Sequence, residues 1–165
     1  MADDVDPDAP LIIPTRVVNS DSGSATAKKA AQILLGKNAG YVVPTALQKR
    51  NLVVACAKRD LIVYGKAFDI VRLKVAVDLD SLEDVERELR SVLFCEIKST
   101  KQEFPKDFRG YFFGLTAAEV LVAQSLKEQF RFIFVNTMTS EFLELKLSEV
   151  FAKARGIYPT WSISF

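Results

Sequence analysis

The sequence predicts an α/β domain with a mixed central β-sheet flanked by helices. Three observations lead there. Apolar runs such as Val92 to Ile97 and Phe130 to Val135 have the length and the Val, Ile and Phe content of strands. Between such runs lie stretches with helix start and stop signals, and an alternation of this kind packs as helices on a sheet. Of the 165 residues, 49% are hydrophobic, which suits one domain with a sizeable core and leaves little for a second.

Taken in order, residues 1–24 are dominated by Pro, Asp and Ser and read as a flexible acidic arm, in which Leu11-Ile12-Ile13 is the segment able to dock. Residues 25–165 read as the single domain. A helix from Ala25 to about Leu35 is stopped by Gly36. A second helix, starting at Ala39 or Pro44, runs to Arg50, and a proline at 44 suits a first turn. Three β-rich runs follow, Leu52 to Ala57, Leu61 to Tyr64 and Ile70 to Val77, and they read as a meander. Ser81 and Asp84 form a capping-box pattern ahead of Leu82 to Arg90, a helix charged nearly all round and therefore exposed, an insertion within the sheet. Next come the strand Val92 to Thr100, a polar loop, and a helix from Ala117 to about Glu128, capped by Thr116 with Glu119 closing the box. Phe130 to Val135 is a strand, apolar except for Arg131, and Phe142 to Leu147 alternates like an edge or half-buried strand. Ser148 caps a short helix to Arg155, Gly156 ends it, and Trp161 to Phe165 would close the sheet.

Composition removes several chemistries. The chain has no histidine, so Ser-His and Cys-His nucleophile systems and His-containing zinc sites are excluded. Cys56 and Cys95 sit inside apolar stretches and read as small buried hydrophobes in a reducing compartment. No apolar stretch approaches the length of a membrane span, and the acidic start lacks the pattern of a signal peptide, so a soluble, cytoplasmic protein is expected, with no membrane partner. The formal net charge is +1, but the first 23 residues hold Asp3, Asp4, Asp6, Asp8 and Asp21 against Arg16 alone. The remainder is mildly basic, which permits phosphate binding without demanding it.

The chemistry concentrates at Glu96-Ile97-Lys98. Side chains alternate along a strand, so Glu96 and Lys98 share a face while Ile97 points the other way into a core. A carboxylate beside an ammonium at the end of a buried strand would bind a divalent cation through oxygen and position a water; a cross-strand ion pair is the structural alternative. Glu144-Leu145-Lys146 has the same pattern on an alternating strand, where a solvated polar face accounts for it. Glu96 and Lys98 differ in following four apolar residues and preceding a polar loop, Ser99 to Lys106, rich in lysine. The aromatics Phe104, Phe108, Tyr111, Phe112 and Phe113 are interleaved with Lys101, Lys106 and Arg109. Burial explains most of these rings; base stacking with phosphate contacts is the functional alternative. Asp78, Asp80, Glu83, Asp84, Glu86 and Glu88 read as a solvated acidic cluster, and Gly65-Lys66 lacks the spacing of a phosphate-binding loop.

Arg59-Asp60-Leu61-Ile62-Val63-Tyr64 and Phe94-Cys95-Glu96-Ile97-Lys98-Ser99-Thr100, supported by the Thr116 helix and the Phe130 to Val135 strand, span most of Ala39 to Val135. In these residues the chain resembles the PD-(D/E)xK nuclease superfamily. The resemblance implies a restriction-endonuclease-like core and a metal-dependent DNA endonuclease of restriction, repair or junction-resolving type. It implies Asp60 and Glu96 as ligands of Mg²⁺ or Mn²⁺, the Ile97 carbonyl as a third, and Lys98 as the group that orients or helps deprotonate the attacking water. Asp69, at the head of the strand that would pair with that of Glu96, is the rival to Asp60. Lys101, Lys106 and Arg109 would bind the nucleic acid, and a homodimer is implied. The alternative is a catalytically inactive domain of the same fold that binds nucleic acid or a protein partner.

Overall fold

The computed structural model describes residues 20–157, with side chains from residue 25 onward. The elements are α1 (Ser20–Leu35), β1 (Tyr41–Val42), α2 (Ala46–Ala57), β2 (Ile70–Leu73), α3 (Leu82–Glu88), β3 (Val92–Thr100), α4 (Ala117–Leu126), β4 (Phe130–Asn136), β5 (Phe142–Leu145) and α5 (Leu147–Lys153). The five strands form one mixed sheet in the order β1-β2-β3-β4-β5. Strands β3 and β4 run parallel and the other neighbours antiparallel. Parallel neighbours need a crossover, and α4 supplies it.

The sheet is covered on both faces, which explains why its central strand is apolar on both. Val92 and Phe94 of β3 pack into a core with Leu52 and Cys56 of α2, Val85 of α3, and Val122 and Leu126 of α4. Leu93, Cys95 and Ile97 face the opposite way, onto Ala30 and Leu34 of α1, together with Tyr41, Ile133 and Val135. Glu96 and Lys98 therefore lie on the α4 side and Ile97 on the α1 side, as alternation along the strand requires.

Several boundaries differ from the sequence expectation. Leu52 to Ala57, expected as a strand, is the second half of α2. Thr45 caps that helix, Gln48 closes the capping box, and Leu52, Ala55 and Cys56 bury one face at helical spacing. Leu61 to Tyr64 pairs with no strand; it is irregular chain whose Ile62 N–H donates to Ser125 Oγ of α4 at 2.7 Å. The run Ile70 to Val77 is a strand only to Leu73, since Leu73 lies opposite Val92, where β3 begins; beyond it the Lys74 N–H still donates to the Ser91 carbonyl at 2.9 Å, but the chain leaves the sheet. Conversely, Tyr41–Val42, expected at the start of a helix, forms the edge strand β1. Gly40 makes that edge possible: its φ is +79°, and a Cβ there would fall 2.3 Å from the Leu73 carbonyl oxygen.

Helix α1 starts at Ser20, inside the segment expected as an arm, and α5 is capped by Lys146 rather than Ser148. Helix α3, expected to be exposed, buries Val85 and leaves only Glu83 and Arg87 exposed, its other residues being half-buried. Both cysteines are free and buried. The expected strand Trp161 to Phe165 lies outside the described residues. No helix among the described residues is long and apolar enough to cross a membrane.

Candidate metal centre

Four charged residues meet under α4. Asp69 immediately precedes β2, and its N–H donates to the Cys95 carbonyl at 2.9 Å. Its side chain then takes over the ladder where the backbone pairing stops, Oδ2 accepting the Ile97 N–H at 2.9 Å. On the next two outward positions of β3, Glu96 is buried and Lys98 nearly so, with Lys98 Nζ 3.0 Å from Glu96 Oε1. The same ammonium lies 2.8 Å from Oε2 of Glu119, a buried residue in the first turn of α4. Thr116 Oγ1 accepts the Glu119 N–H at 3.2 Å and Glu119 Oε2 accepts the Thr116 N–H at 3.1 Å, so the capping box holds that carboxylate in place.

Burial and the neighbouring Asp69 charge push the Glu96 carboxyl up to about 8, with Lys98 opposing the shift and Glu119 adding to it. Burial alone would lower the Lys98 ammonium, but attraction to Glu96 and the hydrogen bond and charge of Glu119 outweigh it, and the net shift is upward. Lys98 is therefore held as an ammonium, a donor rather than a proton acceptor.

Of the two candidate aspartates, Asp69 joins this cluster. Asp60 lies in the turn that ends α2, exposed, at φ +56°, with its N–H bonded to the Ala57 carbonyl. No hydrogen bond or ion pair connects Asp60 with Glu96 or Lys98 among the described residues.

The donor set suits a hard cation. Asp69 and Glu96 offer carboxylate oxygens, and the N–H and C=O of one strand residue address the same neighbouring strand, so the Ile97 carbonyl faces the Asp69 side. The repulsion between Asp69 and Glu96 is what a bound cation would relieve. No group of three or more carboxylate, cysteine or histidine side chains stands close enough to hold a metal among the described residues, so two carboxylates and one carbonyl would be the whole protein contribution. Mg²⁺, which keeps several waters, accepts such a small set.

The expected nucleic-acid residues lie beyond the end of β3. Lys101 is exposed and shares a shallow cleft with Lys29. Lys106 pairs with Glu141 at 3.2 Å and Arg109 with Asp107 at 3.4 Å. The aromatic rings between them mostly serve the core: Phe108, Tyr111 and Phe113 pack around Phe134, and Tyr111 O–H donates to the Ser99 carbonyl at 2.8 Å. Phe112 is half exposed.

Three contacts depart from what the sequence suggests. Glu119, read as a capping residue only, reaches Lys98 as well; the capping box was visible, the reach was not. Lys49 on α2 donates to the carbonyls of Gly65 and Phe68 at 3.2 and 3.0 Å and sits 4.9 Å from the centre of the Phe68 ring, fixing the loop that delivers Asp69. Glu144, expected on a solvated face, is instead half-buried and bound by Arg72 at 2.7 Å, Arg131 at 3.3 Å and the Tyr41 hydroxyl at 3.1 Å.

Comparison with known protein families, with curated proteins and with solved structures finds no match for this chain.

Proposed function

We propose that this protein is a metal-dependent DNA endonuclease of the PD-(D/E)xK type, with Asp69 in the place of the first acid. The observation that carries the reading is the Asp69 carboxylate on the Ile97 N–H, beside Glu96 and Lys98 at the end of the central strand. The antiparallel β1-β2-β3 order followed by a parallel β3-β4 crossover through α4 fits a restriction-endonuclease-like core. Asp69, Glu96 and the Ile97 carbonyl would hold Mg²⁺ or Mn²⁺. Such an ion, when bound, supplies Lewis-acid polarisation of a phosphoryl oxygen and lowers the pKa of a bound water. Lys98, kept protonated between two glutamates, donates to the phosphoryl oxygens as negative charge develops on them. Exposed Lys101, with Lys106 and Arg109 released from their surface pairs, would track the backbone of the nucleic acid. A homodimer belongs to the same reading.

The test is cleavage of plasmid and branched DNA in Mg²⁺ or Mn²⁺. Cleavage that disappears in Glu96→Gln, in protein that still folds, supports the reading; cleavage that persists there removes the site. The two-carboxylate donor set favours a second reading, a catalytically inactive domain of this fold that binds nucleic acid or a protein partner. DNA binding without cleavage in either cation would select it.

A further inference from the structure

Lysine is a poor choice for a fixed donor unless something holds it, because its ammonium ends a four-carbon stem with many rotamers. Here two carboxylates from different elements hold it. Glu96, two residues away on the same strand, lies 3.0 Å from Lys98 Nζ, and Glu119 of α4 lies 2.8 Å from it. An ammonium has three N–H donors, so with two engaged the direction of the third is set by bond geometry. Glu119 is itself held from a second side: it is buried, and Oε2, the atom that receives Lys98, also accepts the Thr116 N–H. The first turn of α4 is thereby wired to the end of β3 through one oxygen atom.

We infer that Glu119 is a positioning residue of the site, which fixes the Lys98 ammonium so that its remaining N–H addresses the phosphoryl group held at Asp69 and Glu96. Glu96 alone cannot do this, since it is also a cation ligand, and a carboxylate drawn toward a cation loosens its hold on Lys98. Glu119 keeps Lys98 in place while Glu96 is so engaged. The helix-capping role is separable from this one. Thr116→Ala removes the hydroxyl that receives the Glu119 N–H yet leaves the carboxylate and its acceptor geometry, whereas Glu119→Gln keeps a capping box, which glutamine also forms, and drops the charge.

The role of Glu119 in turnover rests on the nuclease reading; its hold on Lys98 does not. The experiment therefore has two arms on the full-length protein. In ¹⁵N-edited spectra of the lysine ammonium groups, with Lys98 assigned by its loss in Lys98→Met, the Lys98 ammonium is expected to be protected from solvent exchange. That protection is expected to disappear in Glu119→Ala, to weaken in Glu119→Gln, and to survive in Thr116→Ala. In Mg²⁺-dependent DNA cleavage, kcat should fall about 10-fold or more in Glu119→Ala with KM within about twofold, recover partly in Glu119→Gln and stay near wild type in Thr116→Ala. Persistence of the protected resonance in Glu119→Ala overturns the inference. So does an equal loss of kcat in Thr116→Ala, which would make the effect one of capping. If Glu119→Ala does not fold, the Glu119→Gln and Thr116→Ala pair decides both arms. Absence of cleavage by the wild-type protein removes the nuclease reading, and the ammonium spectra alone then decide whether Glu119 fixes Lys98.

Discussion

Asp69 Oδ2 accepts the Ile97 backbone N–H at 2.9 Å, just past the point where Ile70 and Cys95 end the β2-β3 pairing, Asp69 lying one residue before Ile70 and Ile97 two after Cys95. A side chain thus completes a main-chain ladder, and it brings an aspartate carboxylate beside Glu96. Burial and that proximity together hold the Glu96 carboxyl near 8.

The raised Glu96 carboxyl makes stability depend on pH. Its folded-state value, about 8, lies above its unfolded value, so between about 4.5 and about 8 the native state binds more protons than the unfolded one. Stability from this group is complete below the lower value and is lost as pH rises through the upper one. Urea unfolding without added divalent cation should therefore weaken from pH 5 to pH 8.5. Glu96→Gln should flatten that slope and be the more stable protein at pH 8.5, by an amount on the order of a few kcal/mol.

Lys98 neutralises two buried carboxylates, Glu96 and Glu119. Lys98→Met would strand both, and removing one member of a buried ionic group costs about 3–5 kcal/mol. Chemical denaturation near pH 8.5 should detect a loss of that size. Much of it should return near pH 5, well below the raised Glu96 value, where that carboxyl is protonated and needs no neutralising partner.

Glu144 is a second hub. It binds Arg72, Arg131 and the Tyr41 hydroxyl, tying β1, β2, β4 and β5 together on the α1 side of the sheet. Glu144→Ala should destabilise the protein by about 2 kcal/mol or more, because two half-buried guanidinium groups lose their carboxylate partner. The exposed Lys58–Glu86 pair provides the contrast: Lys58→Ala should change stability by less than about 1 kcal/mol.

Much of the architecture was legible in the sequence, for physical reasons that also mark where legibility stopped. Strand β3 is apolar on both faces from Val92 to Cys95 because helices cover both, and Glu96 and Lys98 are its only charged residues, so strand and site appear together. The Thr116 capping box located α4 at its first residue. Leu52 to Ala57 misled because a short apolar run with adjacent valines fits a buried helix and a buried strand equally well; the capping box at Thr45 and Gln48, seven residues upstream of Leu52, was the available signal. Strand β1, two residues long, has no periodicity to read. Local likeness favoured Asp60, whereas position relative to Glu96 is decided by the β2-β3 register, which only three-dimensional pairing supplies. The capping role of Glu119 was local and therefore visible; its contact with Lys98 spans 21 residues and was not.

The central claim is that Asp69 and Glu96 together form a cation-dependent cleavage site. The most direct measurement compares Mg²⁺-dependent cleavage of supercoiled plasmid by wild type, Asp69→Asn and Asp60→Asn, each checked for native folding. Asp69→Asn should lose about 100-fold or more of the cleavage rate, as expected for a lost metal ligand, while Asp60→Asn stays within about twofold of wild type. Undiminished cleavage by Asp69→Asn, or a loss confined to Asp60→Asn, would contradict the account.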